Sequence, residues 1–325
     1  MRDAVISTML CAMAATAPFT SALAQSGRYP DRAIRLINPF PPGGSVDVTA
    51  RLLAPSLSKS VGQQVVVDNR SGASGMIGTA AAAKSPADGY TLLINTTPLV
   101  TNTLMYSKVP YNVLNDFESI SMLATTPSFV SVHPSVPVRT VRELIRLAKA
   151  RPGALNYGSA GVGTNPHISG ELFNYLGKTN ITAVQYKGGG PALTAAISGE
   201  VSVAFSAIAG AVGYVQSGRL RALAVTSLKP VAALPGVPPI AESGLPGYEF
   251  VAWFALVAPK GTPREIITLL NEHVRKAMSV PATVKRLEQD ALEVVGSSPE
   301  ELAATLQSEL KKWATVIKER GMKAE

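Results

Sequence analysis

Short runs of β-favouring apolar residues alternate with stretches of helical periodicity from one end of this chain to the other. That alternation confines it to the α/β class, with a mostly parallel sheet. The expected strands are Ile34–Asn38, Gln64–Asp68, Tyr90–Asn95, Leu155–Tyr157, Thr182–Tyr186, Val201–Phe205, Leu220–Thr226 and Trp253–Ala258. Most are continuous apolar runs, as strands covered on both faces should be.

Helices between them carry clear start signals. Thr140-Val141-Arg142-Glu143, Thr262-Pro263-Arg264-Glu265 and Ser298-Pro299-Glu300-Glu301 each read as a capping box ahead of an apolar stripe. A helix over about Val46–Lys59 contains Pro55, which should kink or shorten it. Pro-rich stretches at Ser131–Val138 and Pro230–Pro246 read as connectors. They bracket a central α/β block, so the expectation is two lobes: 25–126 with 227–325 as the first, and 127–226 inserted as the second. A chain of 325 residues exceeds what one core usually holds, which also favours two lobes.

Met1–Ala24 reads as an export signal removed after Ala24. Arg2 gives the basic start, Ala4–Ala17 the apolar run, and Ala22-Leu23-Ala24 the small residues before Gln25. The run is too short to span a membrane. Cys11, the one cysteine, lies inside this segment, so disulfides, thiolate metal sites and a cysteine nucleophile are excluded from the exported chain. The net charge of +8 suits either solubility or the steering of anionic ligands. Nucleic acid is disfavoured by export, by 6% aromatic residues and by Lys and Arg spread along the chain.

Three strand-to-helix joints are built from glycine and small polar residues: Pro39–Ser45, Gly158–Asn165 and Tyr186–Pro191. In parallel α/β sheets such joints lie at the carboxyl ends of the strands, where ligands bind. Each alone is equally consistent with a tight turn. Falling in both expected lobes, they point to a cleft lined by helix-start amides that bind anions without a charged side chain.

Motif tests for catalysis mostly fail, and the S-x-x-K match at Ser56-Leu57-Ser58-Lys59 lacks its S-D-N and K-T-G companions. Gly158–Gly163 is spaced G-x-x-G-x-G rather than as a dinucleotide fingerprint, and there is no P-loop lysine motif or G-x-S-x-G elbow. The three histidines, His133, His167 and His273, show no metal-ligand pairing. His273 falls at a helix's core edge, whereas His167 sits in the first turn after the second glycine loop. No enzyme activity, no cofactor and no metal are expected.

At these loops the chain resembles the Bug (TctC-type) family, the extracytoplasmic solute receptors of tripartite tricarboxylate transporters. The matching stretches include Pro39–Asp47, Asp68–Gly75, Asp88–Leu93, Leu155–Thr164, Tyr186-Lys187-Gly188, Gly218–Ala224 and Pro259–Pro263. The resemblance implies a two-lobed periplasmic-binding-protein fold of type II, with two crossovers and the ligand cleft between lobes that close on it. It implies a small organic carboxylate as ligand (a di- or tricarboxylate, acidic amino acid or aromatic acid), held largely by amides, hydroxyls and waters. Carried over by position, the first loop supplies Phe40, Gly43, Gly44 and Ser45, and the third strand's end supplies Asn95 and Thr97. The second loop supplies Ser159, Thr164, Asn165 and His167, and the third Tyr186 and Gly188. Asp47 matches a frequent family aspartate, and it is equally placed to serve the helix-start amides. Ser206 stands where the family often has Asp, which would suit a more anionic ligand or one without an amine. Phe40 and Tyr186 could line a site for a ring-bearing acid or simply pack its walls.

The expectation is therefore a monomeric periplasmic solute-binding protein that delivers a carboxylate to TctA/TctB-like membrane subunits. A secreted hydrolase or lyase using the same cleft, and a sensor lobe for a signalling partner, are the alternatives from other classes, because fold does not fix function.

Overall fold

The computed structural model describes residues 29–322 apart from 290, so the expected export signal lies outside the described residues. In chain order the elements are β1 (Ile34–Asn38), α1 (Ser45–Val61), β2 (Val65–Asn69), α2 (Met76–Ala83), β3 (Thr91–Asn95), α3 (Pro98–Met105), β4 (Phe117–Val132), α4 (Val141–Ala150), β5 (Asn156–Ser159) and α5 (Asn165–Gly177). They continue with β6 (Thr182–Gln185), α6 (Gly189–Ser198), β7 (Val203–Ala207), α7 (Ile208–Gln216), β8 (Arg221–Val225), β9 (Val251–Pro259), α8 (Arg264–Met278), α9 (Pro281–Gln289), β10 (Glu293–Val294) and α10 (Pro299–Arg320).

The strands run in the order β2-β1-β3-β9-β4-β7-β5-β6, with β8 and β10 joined to β4. β1, β2 and β3 pair in parallel, as do β5, β6 and β7. β9 and β4 run antiparallel to each other and to their outer neighbours, so the sheet is mixed rather than mostly parallel. The reason is topological: these are the strands that carry the chain from one half to the other and back, and they must oppose.

β4, a 16-residue strand, is the hinge of this arrangement. Its first part, through Pro127, pairs with β9, and from Ser128 onward it pairs with β7 and β8. Its sequence carries Ser121, Thr126, Ser128, Ser131 and Pro127, which disguise a strand. All four hydroxyls are on buried residues; two are satisfied at long range, whereas Ser131 Oγ has no partner. Ser121 Oγ donates to the Ser297 carbonyl at 2.9 Å and Thr126 Oγ1 to the Ala291 carbonyl at 2.9 Å. Ser131 and Val132, expected in a connector, end this strand instead. The chain returns at Thr226, whose amide donates to the Ser128 carbonyl. Residues 227–250 then pack on the second half through Ile240 N–H to the Val225 carbonyl and Tyr248 to Ser169 before β9 begins.

Strand direction fixes where a site can lie. β1, β2 and β3 point the same way as β4, toward the second half, whereas β5, β6 and β7 point back. The carboxyl ends of the two parallel sets therefore face one another.

Helix starts follow the sequence with two corrections. Ser298 forms the full capping box, and Thr140 Oγ1 accepts the Glu143 amide. At α8, however, Pro263 occupies the N-cap and Thr262 Oγ1 donates to the Pro259 carbonyl at 2.7 Å, so no box forms. α1 runs unbroken through Pro55, because Pro55 and Arg51 one turn earlier are both on the exposed face, where the carbonyl deprived of its partner faces water. His273 packs at the core edge, where Nδ1 pairs with Ser60 Oγ at 2.7 Å.

Candidate ligand-binding site

Helices that begin where the two halves face each other leave their first amides unoccupied by any cap. α1, α2, α3, α5, α6 and α7 all start at carboxyl ends of parallel-set strands, and none has a side-chain cap. α4 and α10 start away from this junction, and there Thr140 and Ser298 do cap, although α8 begins uncapped there as well. Uncapped N–H groups and the aligned peptide dipoles behind them favour negative charge.

The first loop is shaped by one carboxylate. Asp47 is buried. Its Oδ2 accepts from the Gly43 amide at 3.0 Å and Arg51 Nε at 2.8 Å, and its Oδ1 accepts from Asn69 Nδ2 at 2.8 Å. Burial opposes its ionisation, but the hydrogen bonds from Arg51, Gly43 and Asn69 outweigh that and hold the carboxyl at about 2. Both oxygens are thus engaged in holding the loop. Asn38 joins the same cluster, reaching Asp47 and accepting the Phe40 amide at 3.1 Å. Gly43 and Gly44 are exposed, Ser45 is half-buried, and the Phe40 ring lies against Gly75.

The two halves meet between the start of α3 and the second glycine loop. Thr101 Oγ1 donates to the Gly163 carbonyl at 2.8 Å, and Asn165 Nδ2 reaches Thr96 Oγ1 at 3.5 Å. Gly163 has φ +78, and a β-carbon there would stand 3.0 Å from Asn102 Oδ1 and 3.3 Å from Thr101 Oγ1. Only glycine meets both conditions without strain. Within the loop, Ser159 Oγ and Thr164 Oγ1 both donate to the Gly161 carbonyl. The Gly163 amide points to His167 Nδ1 at 3.4 Å. Burial pushes the His167 imidazole below its ordinary value, with Glu171 pulling weakly the other way, so the ring is a neutral acceptor at neutral pH.

Of the residues expected in the site, Thr97, Thr164, Asn165 and His167 come together at this seam. Asn95 is buried behind it, where its amide bonds Thr79 Oγ1 and its oxygen the Thr96 amide. Tyr186 has its hydroxyl donating to Glu200 at 2.7 Å, and it packs against the apolar cluster of Ala195, Ala196, Val201, Ala204 and Leu220. Gly188 is the N-cap of α6, and Ser206 is half-buried near the end of β7. Residues absent from the sequence-based set are Ser74, Thr96, Thr101 and Asn102. Asn102 Nδ2 donates to the Ser74 carbonyl at 3.0 Å. Ser74 lies in a turn where Gly72, Ala73, Ser74 and Gly75 all have positive φ. Its signal was available, since Ser71-Gly72-Ala73-Ser74-Gly75 is another strand-to-helix joint of small residues. A surface hollow of about 340 Å³ lined by Thr103, Tyr106, Tyr111 and Leu310 lies toward the other end of α3. Among the described residues no group of His, Cys, Asp and Glu is arranged to hold a metal, and no helix is long and apolar enough to cross a membrane.

The sequence model of the tripartite tricarboxylate transporter family receptor, TctC, matches residues 49–322. The chain belongs to this family. Solved structures agree. The receptor is 39% identical to an R. palustris protein solved with adipate, at a TM-score of 0.85 over 91% of this chain and 99% of that one. It is 30% identical to the periplasmic binding protein BugD, at 0.84 over 91% and 100%. It is 29% identical to MatC from Rhodopseudomonas palustris with bound malate, at 0.83 over 89% and 100%. The resemblance read from the loops is borne out, and the fold is that of the two-lobed periplasmic binding proteins. These families are solute-binding receptors rather than enzymes, and here Ser159 Oγ and His167 Nδ1 are engaged with different backbone partners.

Proposed function

We propose that the receptor captures a small organic carboxylate between its lobes in the periplasm and delivers it, as a monomer, to TctA/TctB-like membrane subunits. The observation that carries this is the seam itself: uncapped helix starts from both halves converge on a shared polar boundary between Thr96–Asn102 and Gly161–His167. Opposed amide-rich helix starts suit a ligand with carboxylates at separated positions. Adipate and malate in the similar proteins are ligands of that kind. A ligand touching both lobes favours the closed state over the open one, which is the signal a membrane partner can read.

The lobes in this reading meet at Pro127–Ser128 on the outward pass. On the return pass the bonds of Ile240 and Tyr248 support a crossing near Phe250–Val251, later than the expected 226/227 border, with 227–250 moving as part of the second lobe. Native mass spectrometry of freshly purified protein, followed by thermal melting against a panel of di- and tricarboxylates, tests the proposal. Saturating binding raises the melting temperature in proportion to ligand excess over Kd. No retained acid and no shift across the panel would defeat it.

A further inference from the structure

Thr97 Oγ1, Asn102 Oδ1 and Asn165 Oδ1 are enclosed at the seam without a hydrogen-bond partner. Thr97 and Asn102 are each only 1% exposed. Buried polar atoms of native proteins are nearly always paired, and an orphan costs its full desolvation. These oxygens sit on the two helix starts that face one another. Thr97 is the N-cap of α3, Asn102 lies on its second turn, and Asn165 opens α5.

Their chemistry is specific. The Asn102 amide nitrogen is committed to the Ser74 carbonyl, so its oxygen is the end turned toward Gly163 of the other lobe. The Gly163 amide, which could have served that oxygen, is directed to His167 instead. The Asn165 nitrogen is turned to Thr96 Oγ1, which again leaves the oxygen outward. A carboxylate cannot satisfy the two amide oxygens, because an ionised carboxylate only accepts, whereas the Thr97 hydroxyl can either donate or accept. The occupant must bring a donor. An ammonium would need a counter-charge, yet Asp47 is committed to Arg51, Gly43 and Asn69, and Glu171 to Arg320 and Tyr157. A neutral hydroxyl needs none.

We propose that this seam reads a hydroxyl group on the ligand, so that the receptor binds hydroxycarboxylates more tightly than the same acids without the hydroxyl. The inference rests on the carboxylate-receptor reading above. A site built to pair a ligand hydroxyl rejects the analogue that leaves its buried groups unpaired.

Calorimetric titration of the mature protein with matched acids tests it: malate against succinate, citrate against propane-1,2,3-tricarboxylate, and 2-hydroxyglutarate against glutarate. In the pair whose backbone length fits, the hydroxylated acid should bind about tenfold tighter or more. Thr97→Val and Asn165→Leu, each checked for an unchanged melting transition, should shrink that ratio toward unity, the hydroxylated acid losing more affinity than the plain acid in each variant. Equal affinity within about twofold in every pair that binds overturns the hydroxyl reading and leaves the carboxylate receptor standing. So does aspartate binding more tightly than malate, or a preference that survives both substitutions. Binding by none of the acids overturns both.

Discussion

Thr101 Oγ1 of α3 donates to the Gly163 carbonyl at 2.8 Å and so joins one lobe directly to the glycine loop of the other. The same hydroxyl lies 3.2 Å from the Thr97 carbonyl, which fixes its rotamer. Thr101→Val keeps the side-chain shape but leaves the Gly163 carbonyl without its donor whenever the lobes are closed. A lost hydrogen bond of this kind costs about 1 kcal/mol, so ligand affinity should fall roughly fivefold. Titration calorimetry with any bound carboxylate checks it, and an unchanged Kd would show that closure does not use this bond.

Gly163→Ala attacks the seam from the other side. The left-handed backbone alone costs roughly 1 kcal/mol for alanine, and the new methyl carbon would sit 3.0 Å from Asn102 Oδ1. The clash with Asn102 acts only when the lobes meet, whereas the backbone cost falls on the loop in either state. The variant should fold, bind ligand more weakly by an order of magnitude or more, and show a larger radius of gyration with ligand present. Small-angle scattering with and without ligand reads this directly, and a normal ligand-induced compaction would count against it.

How far these features could be seen in advance depends on whether their cause is local. Ile34, Leu36 and Ile37 form an apolar stretch interrupted by Arg35 and ended by Asn38-Pro39, and the strand occupies Ile34–Asn38. β4 was invisible because its Ser121 and Thr126 hydroxyls look solvent-facing, until carbonyls at Ser297 and Ala291 arrive from far along the chain. The glycine loops were legible for the same local reason as β1. Their partners were not: Thr101 and Asn102 read as ordinary polar helix residues, and only lobe contact sets them against Gly163. Tyr186 shows the converse, an aromatic at a promising joint whose hydroxyl is drawn off by Glu200.

Asp47 ties acid stability to the first loop. An unfolded aspartate titrates near 3.9, whereas the carboxyl is held at about 2 in the fold. Its contribution is therefore complete above pH ~4 and is lost as pH falls toward ~2, the range in which the unfolded chain takes up the proton first. A shift of about two pKa units corresponds to roughly 3 kcal/mol. Asp47→Asn should melt several degrees lower at pH 7 and show a flatter decline between pH 4 and pH 2 than the parent. Parallel melts across that range decide it, and identical slopes would mean that other carboxylates govern acid unfolding.

His167 places a second titration beside the seam. Its Nδ1 accepts the Gly163 amide, and burial keeps the imidazole below the ordinary value of 6.5. Between 6.5 and the lower folded value the unfolded chain binds more protons than the native one. Stability is thus full at neutral pH and declines as pH drops below about 6.5. Protonation also turns Nδ1 from acceptor to donor, which releases the Gly163 amide and disturbs the loop that meets Thr101 and Asn102. Ligand affinity should then weaken only at lower pH, where the folded imidazole itself takes up the proton, beyond any change caused by protonating the ligand. His167→Gln, which can still offer an oxygen to the amide, should bind at neutral pH and lose most of this dependence. Calorimetry in steps downward from pH 7.5, corrected for the ligand's own ionisation, separates the effects, and a parent protein whose affinity falls no faster than that of His167→Gln would rule the histidine out as a determinant of the loop.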